Sequence, residues 1–234
     1  MSGLWCNTFG WYSYGKAFRA LGYGNVGASM QSDIIESVNW LVEQGIADPN
    51  ALAVSGPSYG GYAAALAMTR DAGVFAAGVV EMAVTNVVCQ MDNNPFSWGL
   101  HLDETKRYFG DPENEKDRGF MKERSPVTHA HKAQNPILLI HGKADRTVGF
   151  EQTEEFERAL LESGKQVSAH YPEKLAHGYS RWQDRVTRAR LLEDFLAEHL
   201  GGAAVAETGL SWPPNIFDAC PFFLHQPDSI IALC

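Results

Sequence analysis

A serine hydroxyl attacks a carbonyl usefully only when a base stands within hydrogen-bond reach and an acid orients that base. Three residues of this 234-residue sequence have the types and placement for that work: Ser58, Asp145 and His177. Ser58 lies in Gly56-Pro57-Ser58-Tyr59-Gly60, between the apolar segment Ala51–Ser55 and an Ala-rich run to Thr69. Strand, sharp turn and helix is the context in which G-x-S-x-G reads as a nucleophile elbow. Such a turn strains the serine backbone and lifts its hydroxyl clear of the sheet, while side chains at Gly56 and Gly60 would collide with neighbouring backbone. The following helix aims its N-terminal N–H groups at the place where negative charge develops. The bland rival is a chance Gly-rich turn, so the downstream partners carry the weight.

Those partners are present. Asp145 sits in His141-Gly-Lys-Ala-Asp-Arg-Thr-Val148, just past the apolar segment 136–140. His177 sits in Ala176-His-Gly-Tyr179, just past the segment 167–171. Catalytic groups at the carboxyl ends of successive parallel strands fit the open-sheet rule, and Ser, Asp, His is the chain order of α/β-hydrolases. Each has a plainer alternative: Asp145 as a cap for the helix over 152–163, His177 as a surface-loop histidine. His129 and His131 precede a strand, His199 falls inside the last helix, and His141 reads as structural, packed under the acid loop. The ordered set is far less frequent by chance than any one member.

The elements that must position these groups alternate. Ser32 and Asp33 can cap a helix with Ile34, Val38, Leu41 and Val42 on one face, ended by Gly45. Strands are predicted over Ala51–Ser55, Phe75–Met82, Pro136–Ile140 and Val167–Tyr171, and helices after Ser58, over Gln152–Ser163 and over Arg181–Leu200. The last helix would turn Val186, Leu192, Phe195, Leu196 and Leu200 inward. Residues 83–134 are too long for an ordinary connection and read as short helices with one wall of a pocket. The pattern predicts an α/β fold, a parallel sheet with helices on both faces. Residues 1–27 read as loop with a short helix around Lys16–Leu21 and no convincing strand. The expected division is a hydrolase domain over 1–201 and an irregular tail over 202–234, which has no Lys or Arg, four prolines and no periodicity. Deleting that tail is expected to leave stability unchanged.

Composition narrows the function classes. The chain is 45% hydrophobic and 20% charged, as in soluble globular domains. A net charge of −9 without a basic cluster argues against nucleic acid or an anionic membrane as partner. No apolar run is long enough to span a bilayer and no signal peptide is visible, so cytoplasm is the default expectation. Cys6, Cys89, Cys220 and Cys234 are scattered without metal-ligand spacing; no metal or organic cofactor is implied.

Gly56-Pro-Ser-Tyr-Gly-Gly-Tyr62, Ser125-Pro126, His141-Gly-x-x-Asp145-x-x-Val148 and His177-Gly178, in that order, resemble the catalytic domain of the prolyl oligopeptidase family of serine peptidases. Similarity is greatest to its acylaminoacyl-peptidase and dipeptidyl-peptidase-like branches, over about Asn7 to Leu200. The resemblance implies an α/β-hydrolase fold with Ser58 as nucleophile, His177 as general base and acid, Asp145 as orienting carboxylate, and the Tyr59 N–H as one oxyanion donor. It also implies an N-terminally truncated domain, lacking the family's β-propeller, its first strands and the loop that supplies a second donor. Asn7-Thr-Phe-Gly-Trp-Tyr-Ser-Tyr-Gly15 lacks the Arg of the family's corresponding segment, and Pro57 is an unusual neighbour for the nucleophile. The expected function is hydrolysis of peptide bonds through an acyl-enzyme. The alternatives are a carboxylesterase using the same triad on small esters, or an inactive truncated hydrolase. Phe96, Trp98 and Val148 are candidates for lining a substrate pocket.

Overall fold

The computed structural model describes residues 2–5, 14–201 and 230–233. Among them, six parallel strands form one sheet: β1 (Ser2–Trp5), β2 (Leu52–Pro57), β3 (Ala77–Glu81), β4 (Ile137–Ile140), β5 (Val167–His170) and β6 (Ile230–Leu233). Their spatial order is β1-β6-β2-β3-β4-β5. Helices α2 (Ser29–Glu43), α3 (Tyr59–Thr69), α7 (Glu151–Glu162) and α8 (Trp182–Leu200) are the long ones; α1 (Gly15–Ala20), α4 (Val87–Asp92), α5 (Leu102–Phe109) and α6 (Glu115–Glu123) are short. This is the three-layer arrangement of an α/β-hydrolase.

Strand alternation sorts the core into two faces. Leu52 and Val54, Val80, Ile137 and Leu139 pack with Ile34, Val38 and Leu41 of α2, the alanines of α3, and Phe156 and Leu160 of α7. Ala53, Ala77, Val79, Leu138 and Ile140 face the other way, onto Phe195 and Leu196 of α8. Both faces are covered, so these strands read as continuous apolar runs rather than alternating ones. Burying a side chain such as Phe156, at 0% exposure, contributes roughly 2 kcal/mol. Helix α3 lies so close to the sheet that a Cβ at Gly61 would stand 2.4 Å from the Glu81 carbonyl oxygen. Only glycine fits there, and the flanking alanines are buried for the same reason.

Four features differ from the sequence-based expectations. A strand occupies Ser2–Trp5, where loop was expected. Residues 230–233, placed in the irregular tail, form β6 and lie between β1 and β2, in register from Ser2 through Ile230 to Leu52. Four-residue strands carry too little pattern to be seen alone; a slot in a sheet makes Ile230–Leu233 a strand. Helix α2 starts at Ser29 without a side-chain cap. Its inward stripe begins at Met30, which is 5% exposed, and Ser32 bonds back to the Ala28 carbonyl at 3.4 Å instead of capping. Finally, Val186 of α8 is 36% exposed. The inward position near there belongs to Arg188, two residues on, which an apolar-periodicity argument passes over. The expected short helices within 83–134 are present as α4, α5 and α6 with two 3-10 turns, Phe96–His101 and Pro126–Lys132. No helix among the described residues is long and apolar enough to cross a membrane.

Candidate active site

Strand β2 runs out of the sheet at Pro57 and α3 begins at Tyr59, leaving Ser58 alone to turn the chain. Its φ of 57° and ψ of −117° place a non-glycine residue in a sparsely populated region, at a cost of order 1–3 kcal/mol. Neighbours hold it there: its N–H donates to the Glu81 carbonyl at 2.9 Å, and its carbonyl accepts from the Tyr62 N–H at 3.0 Å. Tyr59, the proposed oxyanion donor, is thus the first residue of α3, at the positive end of that helix.

Asp145 lies in the turn after β4, closed by its own N–H donating to the Gly142 carbonyl at 3.1 Å. Its Oδ1 accepts the N–H groups of Thr147 (2.8 Å) and Val148 (3.0 Å). Oδ2 stands 2.7 Å from Nδ1 of His177 and 3.4 Å from Nε2 of His141. Burial would raise the pKa of this carboxyl. The hydrogen bonds from the two histidines and the two backbone groups outweigh it and hold Asp145 well below the usual carboxylate range.

His177 follows β5 in the connection to α8. Its Nδ1 faces Asp145 and its Nε2 lies 2.9 Å from Ser58 Oγ, with 24% of the side chain exposed. The residues singled out by type and spacing, 119 positions apart at the extremes, meet in one line of hydrogen bonds. With Nδ1–H donating its hydrogen bond to Asp145 Oδ2, the unprotonated Nε2 can accept the Ser58 hydroxyl proton. Such a line is competent to make a serine alkoxide-like nucleophile and to return the proton to a leaving group.

A family model described as the prolyl oligopeptidase family matches residues 3–203. The chain belongs to that family. Dipeptidyl aminopeptidase BIII of Pseudoxanthomonas mexicana is 30% identical over 199 residues, 85% of this chain and 29% of its own. Dipeptidyl peptidase family member 6 of Caenorhabditis elegans is 32% identical over 201 residues, 85% of this chain and 27% of its own. A puromycin-hydrolyzing peptidase of Mycobacterium tuberculosis superposes with a TM-score of 0.78 at 27% identity, covering 86% of this chain and 30% of that one. The chain therefore spans less than a third of each of these relatives.

In this prolyl oligopeptidase-family domain the three pocket candidates do not behave alike. Phe96 is fully exposed and Trp98 half-buried, in the 3-10 turn after α4. Val148 is 1% exposed and packs with Val26, Met30, Tyr62 and Leu66, so its side chain belongs to the core and not to a pocket wall. Its backbone does the local work, donating to Asp145 and accepting from His141 Nε2 at 3.0 Å. His141 is fully buried and its Nδ1 meets Thr153 Oγ1 at 2.5 Å.

Sequence reasoning missed Glu81. This carboxylate, at 0% exposure, ends β3 beside the elbow and accepts from Tyr179 and Arg188. A signal existed: an acidic residue inside Val79-Val-Glu-Met-Ala83 cannot be buried in an apolar run unless it is paired. Burial first, then the Glu81 charge, push the Tyr179 phenol far up, so its hydroxyl stays protonated and donates.

Proposed function

We propose that this domain is a serine peptidase in which Ser58 attacks a peptide carbonyl, His177 moves the proton and Asp145 holds the imidazole. In the first half-reaction Ser58 Oγ bonds to the carbonyl carbon as its proton passes to His177 Nε2. The tetrahedral oxyanion forms beside the N-terminus of α3, where the Tyr59 N–H is the proposed donor. His177 then gives the proton to the leaving amine, the C–N bond breaks and an acyl-Ser58 ester remains. Water repeats the sequence with His177 as base, releasing the acid and restoring the hydroxyl. Asp145 stays ionised throughout, because its hydrogen bonds favour the charged form.

The observation that carries this reading is the continuous contact of 2.9 Å from Ser58 to His177 and 2.7 Å from His177 to Asp145. Peptides, rather than small esters, are favoured as substrates by the relatives, which are named as aminopeptidases and peptidases. A fluorophosphonate should modify Ser58, and Ser58→Ala and His177→Ala should each lower kcat on a peptide amide by about 10⁶-fold. Labelling that survives Ser58→Ala sinks the nucleophile assignment. Turnover of a p-nitrophenyl ester without any peptide cleavage would favour the esterase reading.

A further inference from the structure

The connection that carries His177, residues 171–181, contains no helix or strand, and it leaves an edge strand that is itself half-exposed. A segment of that kind has no backbone ladder to hold a catalytic group within the few tenths of an ångström that proton transfer requires. Its anchors are therefore side chains and isolated backbone bonds, and they flank His177 at equal distance.

Two residues before it, Leu175 is 2% exposed and its carbonyl accepts the Ala144 N–H at 3.1 Å. A Cβ at Gly142 would lie 2.0 Å from that same carbonyl oxygen, so the loop rests directly on the backbone of the Asp145 turn. Two residues after it, the Tyr179 hydroxyl donates to Glu81 Oε2 at 2.6 Å. Between them the Gly178 N–H points at Met82 Sδ, 3.1 Å away. One anchor ties the histidine to its acid, the other ties it to the strand beside the nucleophile.

Glu81 is suited to this because it touches the nucleophile's backbone as well. Its carbonyl takes the Ser58 N–H, and its carboxylate, on the opposite side of the sheet from α3, collects four donors. Arg188 reaches Oε2 with Nε at 2.5 Å and Oε1 with Nη2 at 2.7 Å; Ser55 Oγ stands 3.5 Å from Oε1, and Tyr179 completes the set. The Arg188 guanidinium also lies 5.3 Å from the centre of the Tyr179 ring. A buried ion pair of this kind adds little net stability over an apolar packing of the same volume. What it supplies is direction, since a bidentate fork and a phenol hydroxyl fix the carboxylate plane.

We propose that Glu81, Tyr179 and Arg188 form a positioning network that sets His177 over Ser58, and so governs kcat without any of the three touching substrate. This rests on the triad reading above. Removing one hydroxyl with Tyr179→Phe leaves the ring and its packing, so the fold survives while the tether is cut. Glu81→Gln keeps the volume but unpairs Arg188.

The test measures kcat, KM and fluorophosphonate labelling rate on a peptide amide, with melting temperature alongside. Tyr179→Phe should lower kcat and labelling rate together by about 10-fold, and Glu81→Gln by up to about 10²-fold, with KM unchanged. If Glu81→Gln does not fold, Tyr179→Phe decides. Parental kcat in Tyr179→Phe, or a loss expressed in KM alone, overturns the proposal while labelling of Ser58 in the unmodified protein leaves the triad standing. If Ser58 is not labelled even there, the triad reading fails first.

Discussion

The two flanks of the sheet are assembled by different rules. Strands β2, β3, β4 and β5 follow one another in the chain and each pairs with the next, so their order in space is their order in sequence. Strands β1 and β6 come from opposite ends of the chain and pair with each other, with β6 also against β2. The three candidate catalytic groups and the carboxylate proposed to position them lie on the first flank: Ser58 after β2, Asp145 after β4 and His177 after β5, with Glu81 at the end of β3. Because all the strands are parallel, these groups emerge on a single edge. The second flank contributes pairing to β2, and among the described residues β1 reaches the sheet through β6. Chemistry thus depends on neighbouring connections, while closure of the sheet depends on the two ends of the chain meeting.

That contrast can be broken by separating activity from stability. The largest effect should come from Asp145→Asn, which keeps the shape but loses the charge that orients His177; kcat should fall about 10⁴-fold. The same substitution should alter the acid limb of stability. The carboxyl pKa is lowered by folding, so its contribution is complete above the ordinary aspartate value and is lost as pH falls below it toward the depressed folded value. Urea midpoints measured from pH 5 to pH 3 should therefore drop more steeply in the parent than in Asp145→Asn. Equal slopes would mean that Asp145 is not stabilised as an anion by its neighbours.

On the other flank, Ile231→Pro removes a ladder N–H from a strand with partners on both sides. The melting temperature should fall by about 5 °C or more, roughly 2 kcal/mol for a domain of this size, while kcat stays within about tenfold of the parent. An unchanged melting temperature would show that the second flank adds nothing, and would restore the expectation that the tail is dispensable. The smallest effect should come from Lys143→Ala. Its 2.6 Å bridge to Glu173 joins the acid turn to the His177 connection, but both side chains are exposed, at 40% and 75%. Melting temperature should move by less than about 2 °C and kcat should not change. A large loss of kcat would extend the positioning network to the surface.

The sequence by itself determined the parts whose information is local. The turn Gly56–Gly60, the apolar runs before Asp145 and His177, and the stripes of α7 and α8 are each written within about ten residues. From these followed the parallel α/β fold and the order of the proposed nucleophile, acid and base. Tertiary structure decided what depends on partners far along the chain. Residues 230–233 are a strand because β1 and β2 leave a slot for them. Val148, a candidate for lining a pocket, packs instead in the core with Met30 of α2 and Tyr62 and Leu66 of α3. Glu81 finds Arg188 107 positions away and Tyr179 98 positions away, and those partners make a carboxylate tolerable inside the sheet. Periodicity records which way a side chain faces from its own element; it carries no record of what waits on the other side.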